Sequence, residues 1–172
     1  MEGYLRALRT DDLEIIREWR NHLEIKKFMF SQQEIDKDEH IEWFEASKYS
    51  ALRTLYLYEE AGQPIGFLQI QKLSEEGGVY EWGFYIDPFA VRGAGTRMAQ
   101  QALKKIFTEL AGVKVIGEVL AFNKSSRHLH QKLGFVLEGV LREQHLLKGQ
   151  YYDIHCFGML KKEWEASLPT VL

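Results

Sequence analysis

The sequence predicts a single α/β domain built as a mixed sheet, mostly antiparallel, with helices on both faces. Three observations predict it. The chain has 172 residues, about the size of one domain, and 45% of them are hydrophobic and 13% aromatic, enough for a sizeable core. Three strand-like runs follow one another in the middle, separated only by turn chemistry. After Asp87 the apolar period changes from two to that of a helix, and then back again. Such a strand–helix–strand unit returns its second strand parallel to the first, by a right-handed crossover.

The elements follow in order. Residues 4–9 read as a short strand with Leu5 and Leu8 toward the core, and Thr10 reads as the N-cap of a helix. Asp11, Asp12 and Glu14 place negative charge in its first turn, and Leu13, Ile16 and Trp19 repeat at helical spacing until about Asn21. His22 to Gln33 is irregular or partly helical, and a second helix begins near Asp36 with Ile41, Trp43 and Phe44 on its apolar face. Residues 52–60, 65–73 and 79–86 form an antiparallel meander, turning at 61–64 and 74–78. In its third strand Tyr80, Trp82, Phe84 and Ile86 face one way, and Glu81, Gly83 and Tyr85 the other. A Gly-rich turn at residues 92–96 opens a helix carrying Ala99, Ala102, Leu103, Ile106, Phe107 and Leu110. Residues 113–120 form a strand, Asn123 caps a helix that Gly134 ends, and two long strands, 135–147 and 150–160, turn at Lys148-Gly149 before a short helix and a frayed tail. With no repeat and only 3 prolines, residues 1–172 are read as one domain.

Composition excludes several classes. Twenty-two Lys and Arg against 25 Asp and Glu leave a net charge of −3, which lacks the positive excess that binding a phosphate backbone requires. The one cysteine, Cys156, forms neither an intramolecular disulfide nor a cysteine zinc site, and reads as a packing residue. No run approaches the roughly 20 apolar residues of a membrane span, and the charged start of the chain is unlike a signal peptide. The expectation is a soluble cytoplasmic protein with neither nucleic-acid nor membrane partners.

Two constellations carry chemistry. The first is the stretch from Tyr85 to Met98, where a strand leads through Gly93 and Gly95 into a helix start. Glycines let a ligand approach the main chain, the free amides and helix dipole attract an anion, and Arg92 adds positive charge, so a diphosphate is the natural ligand. The alternative is an ordinary tight turn. The Gly-Lys-Ser/Thr ending of a P-loop and the three spaced glycines of a dinucleotide fold are both missing. The second pairs Glu118, inside an otherwise apolar strand, with His130 on the helix that Asn123 opens; Ser126 lies one turn before His130. The two offer a base and an acid on adjacent elements, unless Glu118 merely faces solvent and His130 is a boundary residue.

These stretches resemble the GNAT superfamily of acetyl-CoA-dependent N-acetyltransferases. Arg92-Gly93-Ala94-Gly95-Thr96-Arg97 is similar to its pyrophosphate motif, Arg97 departing from the final small residue and crowding the turn. Residues 123–135 are similar to its later motif, including Lys132. A narrower resemblance, through Trp19-Arg20-Asn21, residues 28–31, residues 39–44, residues 138–142, residues 151–154 and Glu163-Trp164, is to the UDP-4-amino-4,6-dideoxy-N-acetyl-β-L-altrosamine N-acetyltransferases of pseudaminic acid biosynthesis. It implies the GNAT fold, with a parallel strand pair that splays apart, and direct acetyl transfer to a nucleotide-linked amino sugar, with no metal. The acetyl-CoA site would comprise Tyr85, Ile86, Arg92, Gly93, Ala94, Gly95, Thr96, Arg97, Asn123 and Lys132. Glu118 would be the general base and His130, where many members have Tyr, the general acid. Arg20 and His40 would hold the nucleotide's charged groups, with Trp43 or Phe30 against a ring. The resemblance leaves room for a homodimer. Two rivals stand beside it: an N-terminal acetyltransferase of the ribosomal-protein type, which shares the C-terminal motif, and a degenerate domain that binds acetyl-CoA without turnover.

Overall fold

The computed structural model describes residues 3–169, so the end of the expected frayed tail lies outside the described residues. Seven strands run β1 (Tyr4–Ala7), β2 (Arg53–Glu60), β3 (Gln63–Lys72), β4 (Val79–Ile86), β5 (Lys114–Leu120), β6 (Val136–Leu147) and β7 (Gln150–Leu160). They join one sheet in the order β1-β2-β3-β4-β5-β7-β6. Among the described residues only the β4–β5 pair is parallel, as the change of period predicts. The helices are α1 (Leu13–Asn21), α2 (Leu23–Lys26), α3 (Lys37–Lys48), α4 (Ala94–Lys104), α5 (Lys124–Leu133) and α6 (Lys161–Ser167).

The sheet buries both faces. In β2, Leu55, Tyr56, Leu57 and Tyr58 are all buried, because successive side chains enter opposite layers and both layers are covered. On one face Tyr56, Tyr58, Leu68, Ile70, Tyr80 and Trp82 pack against Met98, Ala99, Ala102 and Leu103 of α4. On the other, Leu55, Leu57 and Phe67 pack against Leu13, Ile16 and Trp19 of α1 and Phe44 of α3.

Two expectations are corrected at the N-terminus. β1 ends at Ala7, and Thr10 does not cap α1: residues Thr10–Asp12 form a 3-10 turn whose N-cap is Arg9. The capping oxygen belongs to Asp12, which accepts from the Arg9 backbone N–H at 2.8 Å and pairs with Arg6 at 2.7 Å, drawing the carboxylate inward. The Gly-turn helix also ends earlier than its apolar repeat, passing at Lys105–Glu109 into a π-helical turn. Among the described residues no helix is long and apolar enough to cross a membrane.

Candidate active site

The site is a gap in the sheet. β4 and β5 are in register only from Val79–Lys114 to Glu81–Ile116, while β3 stays paired with β4 as far as Ile86. The edge of β4 from Trp82 to Ile86 that faces β5 therefore lacks a strand partner among the described residues, as the splayed pair implied by the family resemblance requires.

On the α4–α5 side the gap opens into a groove of about 370 Å³ lined by Phe84, Tyr85, Ile86, Arg92, Gly93, Ala94, Gly95, Asn123 and Ser126, with Phe28 and Met29 as its roof. Gly93 is the N-cap of α4 with φ +93°, a left-handed backbone that side-chain-bearing residues rarely adopt, and no side chain caps this end. An uncapped helix start at a groove floor fits a diphosphate. Arg97 lies beside the turn but is held sideways: its Nε and Nη2 donate to the two carboxylate oxygens of Glu60 at 2.6 and 2.9 Å. Its guanidinium thus stands next to Gly93 instead of across the groove. Asn123 caps α5, its Oδ1 accepting from the Ser126 N–H at 3.1 Å. Lys132 is not brought to the groove; it is exposed in the last turn of α5, the opposite end from Asn123.

Through the gap lies a cavity of about 280 Å³ lined by Phe28, Met29, Phe30, Gln69, Glu81, Trp82, Phe84, Glu118 and His130. Glu118 is exposed, and its cross-strand partner is Cys156. Glu81, unmarked by any motif, stands near it. Burial, and then the charge of Glu118, hold the Glu81 carboxyl above its ordinary range. Cys156, remote in sequence from both motifs, is thus a neighbour of Glu118; burial and the carboxylates of Glu118 and Glu138 push its thiol up.

The acid role expected of His130 is not supported by its surroundings. The ring is 2% exposed, enclosed by Trp82, Phe135 and Phe157. Its Nδ1 faces the Ser126 carbonyl at 2.8 Å, which requires the proton there, and its Nε2 accepts from the Trp82 indole N–H at 3.1 Å. Burial lowers its pKa. A neutral ring with both nitrogens engaged has no proton to spare. Tyr85 is no ready substitute, since its hydroxyl donates to the Ile16 carbonyl at 3.2 Å and burial raises its pKa.

A second cavity on this face, about 390 Å³, is lined by Arg20, His40, Trp43, Phe67, Gln69 and Tyr85 and shares Gln69 with the first. Arg20 donates through Nη2 to the Ser31 carbonyl at 2.6 Å, but its Nη1 is buried with no partner among the described residues. Desolvation lowers its pKa. His40 is buried and stacks on Trp43 with ring centres 5.1 Å apart. Phe30 lies instead at the first cavity, so the four expected acceptor residues divide between the two. No motif marks Glu81 or Gln69; only their place on the meander's α1-facing side brings them to the first cavity.

Comparison with known proteins identifies the family. A model of the acetyltransferase (GNAT) domain matches residues 4–136. An uncharacterised SPbeta prophage-derived N-acetyltransferase, YokL of Bacillus subtilis, is 34% identical over 127 residues, covering 72% of this chain and 71% of its own. The spermidine N-acetyltransferase of Vibrio cholerae, crystallised with CoA and spermine, superposes with a TM-score of 0.88 at 25% identity, over 95% of this chain and 98% of its own. The acetyltransferase PseH of Campylobacter jejuni is 25% identical over 130 residues, 76% of this chain and 80% of its own.

Proposed function

This chain belongs to the GNAT family of acetyl-CoA-dependent N-acetyltransferases, and we propose that its acceptor is the 4-amino group of a UDP-linked amino-dideoxy sugar. The observation that carries the reading is the buried Nη1 of Arg20, partnerless among the described residues, on the same sheet face as Glu81 and Glu118. An acceptor filling both cavities meets carboxylates at one end and a guanidinium at the other. It therefore carries an amine and, at a distance, an anion. A nucleotide-linked amino sugar has both, with a base to pack beside Trp43, which lines the second cavity.

In this reading Glu118 takes the proton of the incoming ammonium, directly or through one water, because only the neutral amine is a nucleophile. Glu81 adds to the negative field that draws the ammonium in. Acetyl-CoA supplies the thioester carbonyl; after attack the C–S bond breaks, and the nitrogen gives up its second proton to solvent while the departing thiolate (a thiol's pKa is ~8.5) takes one up from it. The unpaired edge of β4 near Tyr85 and Ile86 offers main-chain amides to the pantetheine arm and to the oxygen that gains charge on attack. The amides of Gly93, Gly95 and Thr96, with Arg92, receive the pyrophosphate, since those of Ala94 and Arg97 already donate to the Val91 and Gly93 carbonyls. His130 positions Trp82 and the start of α5.

One observation favours a second reading. The Glu81–Glu118 pair would also receive a polycation, and the Vibrio cholerae relative is a spermidine N-acetyltransferase. A turnover screen with thiol release as readout separates the two: UDP-linked 4-amino sugars, spermidine and N-terminal peptides are offered at equal concentration. Selective turnover of the sugar nucleotides supports the proposal; turnover of spermidine or peptides alone refutes it.

A further inference from the structure

The acceptor cavity has one wall that no motif marks. Residues 27–36, between α2 and α3, are irregular, and Phe28, Met29 and Phe30 in this strap line the cavity beside Glu81 and Glu118. Phe28 and Met29 also roof the acetyl-CoA groove, whereas Phe30 lines the acceptor side alone. The ends of the strap are tied locally. Asn21 exchanges two hydrogen bonds with the backbone of Ile35, at 2.8 and 2.9 Å, and the amides of Phe28 and Met29 donate to carbonyls of α2. The Phe30 carbonyl is tied from 115 residues away, by the Nε2 of His145 at 2.9 Å, and the two rings meet edge to face at 5.2 Å. A carbonyl accepts, so Nε2 carries the proton.

His145 arrives there because β6 is irregular. From Leu141 to His145 β6 advances four residues while β7 advances two, Ile154 to Tyr152. Glu143 takes up the excess with φ +49°, and its N–H donates to Asp153 Oδ1 at 2.8 Å. Bulges re-aim side chains, and this one is itself stabilised. Next to it Tyr152 packs edge to face on Phe122, which stacks on Phe28. The β6–β7 hairpin therefore presses on both ends of the Phe28–Phe30 segment.

We propose that His145 is a positioning residue for the acceptor: through the Phe30 carbonyl and ring it fixes the strap and so sets the width of the acceptor cavity. It touches neither reacting group. Losing one hydrogen bond of ordinary net strength changes an equilibrium roughly 2- to 13-fold. His145→Ala is thus expected to raise KM for the acceptor by that factor, with KM for acetyl-CoA and kcat within about twofold. His145→Gln keeps an N–H donor and should recover most of the loss; His145→Phe keeps a ring without a donor and should not.

The proposal rests on the acceptor face described above but not on the sugar. The KM split is measured with a UDP-linked 4-amino sugar and, if that is not turned over, with spermidine. Hydrogen exchange of the substrate-free protein supplies a readout independent of turnover, the amides of residues 28–32 exchanging faster in His145→Ala and His145→Phe and returning toward wild type in His145→Gln. An unchanged acceptor KM, equal rises in both KM values, or strap exchange indifferent to the substituent would overturn it.

Discussion

The carboxylate pair gives the sharpest test of the mechanism. Glu118→Gln keeps the shape of the side chain and removes its basicity. A general base is worth about 10²–10⁴-fold, or roughly 3–5 kcal/mol of barrier. Where in that range the loss falls depends on Glu81. Its carboxyl is raised first by burial and then by the charge of Glu118. Once that charge is gone only burial remains to raise it, and Glu81, lining the same cavity, is a carboxylate left there to stand in as base. The expected loss in Glu118→Gln is therefore near the lower figure, about 10²-fold. Glu81→Gln alone, leaving Glu118 in place, is expected to lose only about tenfold, and the double variant to approach ~10⁴-fold, more than the two single losses multiplied. The assay is kcat by thiol release with both substrates saturating, across neutral to alkaline pH. Below the amine's own pKa the neutral fraction rises about tenfold per pH unit. The double variant should recover with pH along that slope. Wild-type kcat in Glu118→Gln over the whole range would refute the base assignment. A double variant no worse than Glu81→Gln would show that Glu118 was only a solvated strand residue.

Other expectations follow from the same geometry. Arg20→Met should raise KM for a sugar nucleotide by about 10- to 150-fold, the worth of a hydrogen bond to a charged group, and should leave spermidine, if turned over, no worse bound; an equal loss for both would remove the anion reading. A Cβ at Gly95 meets nothing closer than Ile86 Cγ1 at 3.6 Å, so Gly95→Val should fold with little change in Tm yet lose acetyl-CoA affinity by calorimetry, the added methyls standing in the groove. His130 has its pKa lowered from an ordinary 6.5 by burial, as do His40 and His155. Above pH 6.5 the folded and unfolded forms are both neutral and the contribution is complete; as pH falls below it the unfolded chain takes up protons first and stability drops. Tm should therefore decline from pH 6.5 downward, and His130→Gln, though less stable at neutral pH, should show a shallower decline. The same variant should keep kcat within about tenfold; a loss of ~10²-fold or more would return the acid role to His130.

Much of the frame was legible locally. Gly93 and Gly134 take left-handed backbone at the two helix ends where the sequence places them, and Asn123 caps α5. The meander, the crossover strand and the hairpin follow from period and turn chemistry. What local pattern could not show is pairing over distance. Arg97 is neutralised by Glu60, 37 residues away, so a residue that reads as crowding the turn is held to its side. His130 is sealed by Trp82, 48 residues away, and a motif position that reads as an acid becomes a hydrogen-bonded part of the core. Glu81 alternates with core residues on β4, and only the absence of a β5 partner beyond Ile116 opens its side of the sheet. In each case the residue type was visible and its partner was not.

The remaining expectation concerns the order of bond making. The groove that suits acetyl-CoA and the acceptor cavity lie on opposite sides of the β4–β5 gap and share Phe28, Met29, Phe84, Asn123 and Ser126. Both substrates can then reach the gap together, and the amine can attack the thioester without an acetylated protein. The residue that could contradict this is Cys156, the chain's one cysteine, paired beside Glu118 in the sheet. Its surroundings oppose nucleophilic use: burial and two carboxylates raise its pKa, so little thiolate is present at neutral pH. Cys156→Ser is therefore expected to keep kcat within a few-fold. Protein incubated with acetyl-CoA alone should show no added acetyl group by intact mass, and initial rates with both substrates varied should give intersecting lines. Parallel lines, with a mass gain of one acetyl group that Cys156→Ser abolishes, would establish a covalent route and overturn direct transfer.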